Sequence, residues 1–165
     1  MKQHLFTSET RLPRPLEQVF PFFAAPANLG RITPPELRFR ILTPLPVEMH
    51  AGALIDYRIQ LFGVPMRWRT RIRAWDPPRE FVDEQLRGPY AEWVHRHAFS
   101  PGPDGTTMMR DEVRYRLPLG ALGEIGHPLV RRQIARIFRY RARVIVAAFG
   151  DPTPAAVTAT KEVVP

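Results

Sequence analysis

Two histidines stand one residue apart as His95-x-His97, and Asp83, Asp111 and Tyr115 fall in neighbouring segments of the same strand-like character. Imidazole and carboxylate in contact can exchange a proton. The set therefore supports general acid/base chemistry, with Asp111 orienting His95 as the base and Tyr115 donating a proton. The same two imidazoles on one side of a strand form a metal chelate, for which Asp83 or Asp111 supplies the third ligand. A third use is to orient a ligand in an otherwise apolar pocket. The plainest use is structural: His95 and Asp111 satisfy each other as a buried pair that fixes the strand register. Arg141 is the other candidate, because it interrupts an apolar helical stripe near Ile137 and Ile145. Its guanidinium can grip a carboxylate or carbonyl with two N–H groups, reach out to the helix edge, or pair with an inward aspartate.

Other chemistries lack their residues. With no cysteine in the chain, disulfides, thiolate metal sites and cysteine nucleophiles are excluded. Ser8 and Ser100 sit in no nucleophile motif, and no glycine-rich phosphate loop joins a strand to a helix.

The elements that must carry these side chains follow from periodicity and punctuation. Lys2 to Leu12 reads as a strand, ended by Pro13-Arg14-Pro15, and Leu16 to Ala24 as a short helix with Leu16, Val19, Phe20 and Phe23 on one face. The proline-rich stretch from Pro26 to Pro35 is a compact turn or second short helix. Period-two segments follow over Leu37 to Thr43, Ala53 to Phe62, Met66 to Trp75, Glu80 to Arg87, Glu92 to Ser100 and Thr106 to Leu117. The short Gly/Pro turns between them make a meander of antiparallel strands. A short turn around Ala121 to Gly126 leads to a long helix, Pro128 to Phe149, whose apolar stripe holds Val130, Ile134, Ile137, Ile145 and Ala148 with Phe138 beside it.

Alternation then sorts the faces. Arg67, Arg69, Arg71 and Arg73 alternate with Met66, Trp68, Thr70, Ile72 and Ala74, so the second set faces inward. Pairing Leu61 with Met66 sets Tyr57 opposite Thr70. A two-residue Pro77-Pro78 turn puts Phe81, Asp83 and Gln85 inside, opposite Ala74, Ile72 and Thr70. Pairing Trp93 with Val113 sets His95 opposite Asp111, with Met109 and Tyr115 on the same inner face. A polar seam of Asp83, Gln85, His95, His97, Asp111 and Tyr115 thus lies on an aromatic and aliphatic concave surface. Ile134, Phe138 and Arg141 face it from the helix.

The net charge of +8 is almost all arginine, 22 Arg against 2 Lys. On the outer face these registers set Arg71 between Asp56 and Glu84, and Arg96 opposite Arg110. Cross-strand acids make this a solvated convex face. Its remaining arginines, with Arg131, Arg132, Arg136, Arg139 and Arg143 on the helix, offer weak contact with anionic membrane. The aromatics belong to inner faces and leave no stacking platform for nucleic acid. No signal-like apolar stretch opens the chain and no run long enough to span a bilayer occurs, which predicts a cytoplasmic protein.

The order strand, short helices, six-strand meander and long C-terminal helix resembles the START-like superfamily, also called Bet v 1-like or SRPBCC, across residues 2–149. Its bacterial polyketide cyclase/dehydrase and coenzyme Q-binding members are the most similar. The likeness rests on Pro15-Leu16-Glu17-Gln18-Val19-Phe20, Ile32-Thr33-Pro34, Trp75-Asp76-Pro77-Pro78 and Trp93-Val94-His95-Arg96-His97-Ala98-Phe99. The expected fold is α+β, a helix-grip domain over residues 1–149: a curved antiparallel sheet of about seven strands around the C-terminal helix, with two short helices after the first strand. Residues 150–165 are expected to be a disordered tail. The first function hypothesis is a binding module for a lipid-, quinone- or polyketide-like molecule, with no metal and no cofactor. The second is a cyclase or dehydratase using His95, Asp111 and Tyr115, and the third a basic surface adaptor for membrane or protein.

Overall fold

Pro13 and Pro15 break the first strand as expected, and the chain then follows the expected order of elements. A computed structural model describes residues 2–150. Strand β1 (Gln3–Leu12) leads into helix α1 (Leu16–Phe23), two 3₁₀ turns (Pro26–Asn28 and Pro35–Leu37) and the short β2 (Arg40–Ile41). The meander comprises β3 (Leu54–Leu61), β4 (Val64–Asp76), β5 (Glu80–Arg87), β6 (Glu92–Pro101) and β7 (Thr107–Arg116). Helices α2 (Ala121–Ile125) and α3 (His127–Phe149) complete it. The seven strands form one antiparallel sheet in the order β1-β7-β6-β5-β4-β3-β2. The long helix lies in its concave face: this is the helix-grip fold. The tail expected from 150 onward lies, beyond Gly150, outside the described residues.

Three registers differ from expectation, each for a local reason. At the β3–β4 turn Leu61 pairs with Val64, so Tyr57 faces Trp68 and Ile55 faces Thr70. The turn is the two residues Phe62 and Gly63, both at positive φ (50° and 81°). That conformation suits the twist of a tight hairpin and is easy only for glycine. The shift is two residues, so each side chain keeps its face.

In β4 an irregularity between Ile72 and Ala74 leaves Arg73 without a partner across to β5, and Phe81 pairs with Trp75 rather than Ala74. One extra residue reverses the alternation beyond it. Trp75 takes the inner position expected of Ala74 and packs on Phe20 and Phe81, with ring centroids 5.5 and 5.7 Å apart.

Between β6 and β7, Trp93 pairs with Tyr115, His95 with Val113 and His97 with Asp111. His95 is therefore not directly opposite Asp111. The outer face shifts likewise. Arg69, not Arg71, takes Asp56 in a two-pronged bond of 2.8 and 2.9 Å, while Arg71 pairs with Glu84 alone. Arg96 stands opposite Glu112 and pairs with Glu80, and Arg110 stands opposite Ala98.

α1 buries Leu16, Val19, Phe20 and Phe23 against the β4–β6 end of the sheet with Leu12, Phe99 and Met109. α3 buries Ile134, Phe138, Ala142, Ile145 and Val146. Its buried stripe therefore runs through Phe138 and Ala142, and Ala148, expected on it, is exposed.

Candidate functional site

Between the sheet and α3 the structure encloses a cavity of about 160 Å³. Strands β3 and β4 supply Tyr57, Trp68 and Thr70 to its wall. Strands β5 and β6 supply Phe81, Asp83, Trp93, His95 and His97. α3 closes it with Ile134, Phe138 and Arg141. Free space of this size suits a single-ring guest, and a larger ligand requires the walls to move apart.

Four residues expected at the cavity do not line it. Gln85 folds back on the β5–β6 turn: its amide donates to the Tyr90 carbonyl at 2.7 Å and accepts the Tyr90 N–H at 3.3 Å. A Cβ on Gly88 would meet that amide oxygen at 2.3 Å, so a larger residue there would push the Gln85 side chain aside. Met109 belongs to the α1 core, 1% exposed. Asp111 lies behind the two histidines, 3% exposed. Tyr115 is bonded elsewhere, its hydroxyl 3.1 Å from His127 Nε2, and Trp93 packs on both Tyr115 and His95 with ring centroids 6.2 and 6.5 Å away. The set His95, Asp111 and Tyr115 is therefore not assembled: Tyr115 joins His127, His4 and Glu124 at the base of α3, where His4 stacks on His127 at 3.7 Å and meets Glu124 at 2.9 Å.

The end of α1 and the chain between it and β3, unassigned to the site from sequence, line much of the cavity through Phe22 and Phe23, then Leu29, Ile32, Thr33 and Phe39. Tyr90 joins from the β5–β6 turn. Apolar density in the 22–39 stretch was the available signal, but a segment without period does not declare its inner face.

The polar seam is tightly coupled. His95 Nε2 donates to Asp111 Oδ1 at 2.9 Å, and His97 Nε2 donates to Asp83 Oδ2 at 2.9 Å. His97 Nδ1 also lies 3.1 Å from Asp111 Oδ1, and the two imidazoles lie tilted by 38° with centroids 3.7 Å apart. Phe81 covers His97 at 4.1 Å.

Burial and the neighbouring His97 charge pull His95 down from 6.5 to about 4, against the attraction of Asp111 and Asp83. Burial also opposes charge on His97, but bonds to Asp111 and Asp83 outweigh it and raise its pKa. Burial resists ionisation of both aspartates, yet hydrogen bonds from the histidines hold Asp83 and Asp111 below the usual carboxylate range. These shifts favour a neutral His95 beside a His97 whose protonated form is supported by two carboxylates, with the Arg141 guanidinium near the same Asp111 oxygen.

Asp83, His95 and His97 bring one ligand atom each within 4.8 Å of one another, so three donors for a metal are present. An ion there has to displace the proton on His97 and lie near the Arg141 cation, both unfavourable.

Three side chains in the cavity wall carry a buried nitrogen without a hydrogen-bond partner among the described residues: Arg141, Trp68 and His97, whose Nδ1 is near Asp111 but outside bonding geometry. Arg141 is largely buried, its guanidinium carbon 5.3 Å over the Phe138 ring and its Nη1 3.7 Å from Asp111 Oδ1. Neither its Nε nor its Nη1 has a hydrogen-bond partner among the described residues, and the buried indole Nε1 of Trp68 has none either. Buried donors left unpaired are costly, of order 1–3 kcal/mol each and more when charged. Tyr57 hydroxyl meets Thr70 Oγ1 at 3.3 Å, and burial raises its phenol pKa.

Comparison with known proteins agrees with this architecture. The sequence profile of the family described as polyketide cyclase/dehydrase and lipid transport matches residues 12–139. Among solved structures the chain is similar to the Zhui aromatase/cyclase from Streptomyces sp. R1128, with TM-score 0.73 and 12% identity, covering 89% of this chain and 93% of that one. It is also similar to ginseng major latex-like protein 151 from Panax ginseng (TM-score 0.67, 12% identity, 92% and 100% covered). A START superfamily protein from Mycobacterium smegmatis gives TM-score 0.65 and 12% identity, covering 88% and 97%. No curated protein matches the chain by sequence. At such identities the structures speak for the fold alone, whereas the profile spans well over half of the chain: it belongs to the polyketide cyclase/dehydrase and lipid transport family.

Proposed function

We propose that the chain binds a small, largely apolar ligand bearing one anionic or enolic oxygen, without transforming it. The observation that carries this reading is the pair of buried, unmatched donors, Arg141 and Trp68, in a wall otherwise built of aromatic and aliphatic groups. An apolar body supplies affinity by leaving water, and an acceptor oxygen supplies what the two donors lack. Fatty-acid-like molecules and polyketides with an enolic hydroxyl have this plan.

The solved aromatase/cyclases among similar proteins keep a cyclase or dehydratase reading in view. His95, held by Asp111, is its natural base. A base whose pKa lies near 4 has little driving force at neutral pH, which favours binding over proton abstraction. Tyr115 is bonded to His127 and is no proton donor for His95.

Native mass spectrometry of the full chain purified without added ligand tests the reading. The expected result is a fraction carrying an apolar, acidic adduct that organic extraction releases unchanged. Protein that emerges empty and takes up no apolar acid on addition overturns it.

A further inference from the structure

Ten large apolar side chains are exposed among the described residues, and seven lie at one end of the sheet. That end is where β3, β5 and β7 finish and β1, β4 and β6 begin, since the strands are antiparallel. The β3–β4 turn carries Phe62 and Val64 there, and Leu86 stands one residue before β5 ends. The chain leaving β7 adds Leu119, Leu122, Ile125 and Leu129, of which Leu119, Leu122 and Ile125 are 78%, 70% and 77% exposed. No residue of α2 is buried. Solvent-facing apolar groups scattered singly need no explanation, but four of them within the one segment Leu119–Leu129 mark a contact surface.

The charges at this end select the partner. Lys2, Arg87, Arg131 and Arg132 are exposed and make no ion pair among the described residues. The acids nearby are engaged, Glu92 with Arg116 and Glu124 with His4. A second copy of a chain of net charge +8 would bring like charges together, whereas a bilayer of anionic lipid presents both an apolar interior and the opposite charge. We infer that this end of the domain docks on an anionic membrane surface, with Leu119, Leu122, Ile125 and Leu129 entering the headgroup boundary and Arg131 and Arg132 meeting lipid phosphates. The cavity wall reaches the same end through Leu61 and Tyr90. Docking is through this apolar end and not through the arginine row of the convex face, much of which is paired with acids. No helix of the described residues is long and apolar enough to cross a membrane.

Co-sedimentation of the full chain with vesicles of phosphatidylcholine alone, and of equimolar phosphatidylcholine and phosphatidylglycerol, tests the inference. The wild type is expected to pellet with the anionic vesicles. Leu122→Ser with Ile125→Ser, both at exposed positions, should weaken partitioning about ten-fold or more at an unchanged thermal midpoint. Arg131→Glu with Arg132→Glu should weaken it and flatten its salt dependence. A wild type that stays in the supernatant overturns the inference, as does a serine pair that binds as tightly. A wild-type dimer in gel filtration that the serine pair reduces to monomer assigns the surface to a second copy, and overturns it equally.

Discussion

His95 Nε2 lies 2.9 Å from Asp111 Oδ1 although the two residues are not paired across the sheet; Asp111 stands opposite His97, and His95 opposite Val113. The bond is diagonal. Asp111 is thereby shared between two imidazoles, 2.9 and 3.1 Å away, and Arg141 approaches the same oxygen at 3.7 Å. One buried carboxylate anchors three nitrogen groups from two elements.

Removal of that carboxylate should be severe. Asp111→Ala leaves a buried imidazolium and a buried guanidinium without their common anion, and breaking such a pair costs about 3–5 kcal/mol. Urea denaturation should show the midpoint fall accordingly, with Asp111→Asn intermediate because it retains one hydrogen-bond acceptor. A loss under about 1 kcal/mol for the alanine variant contradicts the coupling described here.

The pH dependence follows from the signs of the shifts. His95 is lowered from 6.5 to about 4, so its contribution to stability is complete above pH 6.5 and is lost as pH falls to about 4. Asp83 and Asp111 are lowered too, so theirs is lost at still lower pH, below the ordinary carboxylate value of 3.8. His97 is raised, so its contribution is full below 6.5 and is lost as pH rises through its folded value. Stability should therefore peak near pH 6.5, and His95→Gln should flatten the limb between 6.5 and 4. Urea midpoints across this range check it; an unchanged acid limb in the variant refutes the assignment.

Tyr115→Phe separates two roles for that hydroxyl. Its bond to His127 predicts a stability loss of about 0.5–1.5 kcal/mol and no change in ligand affinity or in any turnover. A selective loss of activity at unchanged stability would return Tyr115 to the site.

Phe138 is 4% exposed and packs on Phe6 and His95 with centroids 4.8 and 5.3 Å away. Phe138→Ala should cost about 3–5 kcal/mol in calorimetry or denaturation. It should also enlarge the cavity, so that two-ring apolar probes gain affinity relative to single-ring ones.

The container was legible in the sequence because its signals are local. The Arg67–Arg73 alternation assigned the faces of β4, and Pro15 and the 26–35 prolines marked where helices begin and end. Registers were less legible, since a shift of two residues preserves every face and alternation cannot detect it. That is why Asp83, His95, His97 and Asp111 come together although the pairing that predicted them was displaced. The irregularity at Arg73, which brings Trp75 inside, has no signal in hydrophobic pattern. Tyr115 and Gln85 show the limit of face assignment: both are on the inner face, yet each is claimed by a neighbour, His127 and Tyr90, contributed by a turn or helix end whose position sequence does not give. The cavity wall from Leu29 to Phe39 escaped because irregular backbone carries no period.

The central claim is that Arg141 and Trp68 await an acidic oxygen on an apolar body. Titration calorimetry with benzoic acid and with methyl benzoate measures this directly, in the wild type and in Arg141→Met. A charge-assisted bond of about 1.5–3 kcal/mol predicts that the wild type prefers the acid by about ten-fold or more, and that the methionine variant loses the preference while still binding the ester. Equal affinity of the wild type for acid and ester contradicts the account.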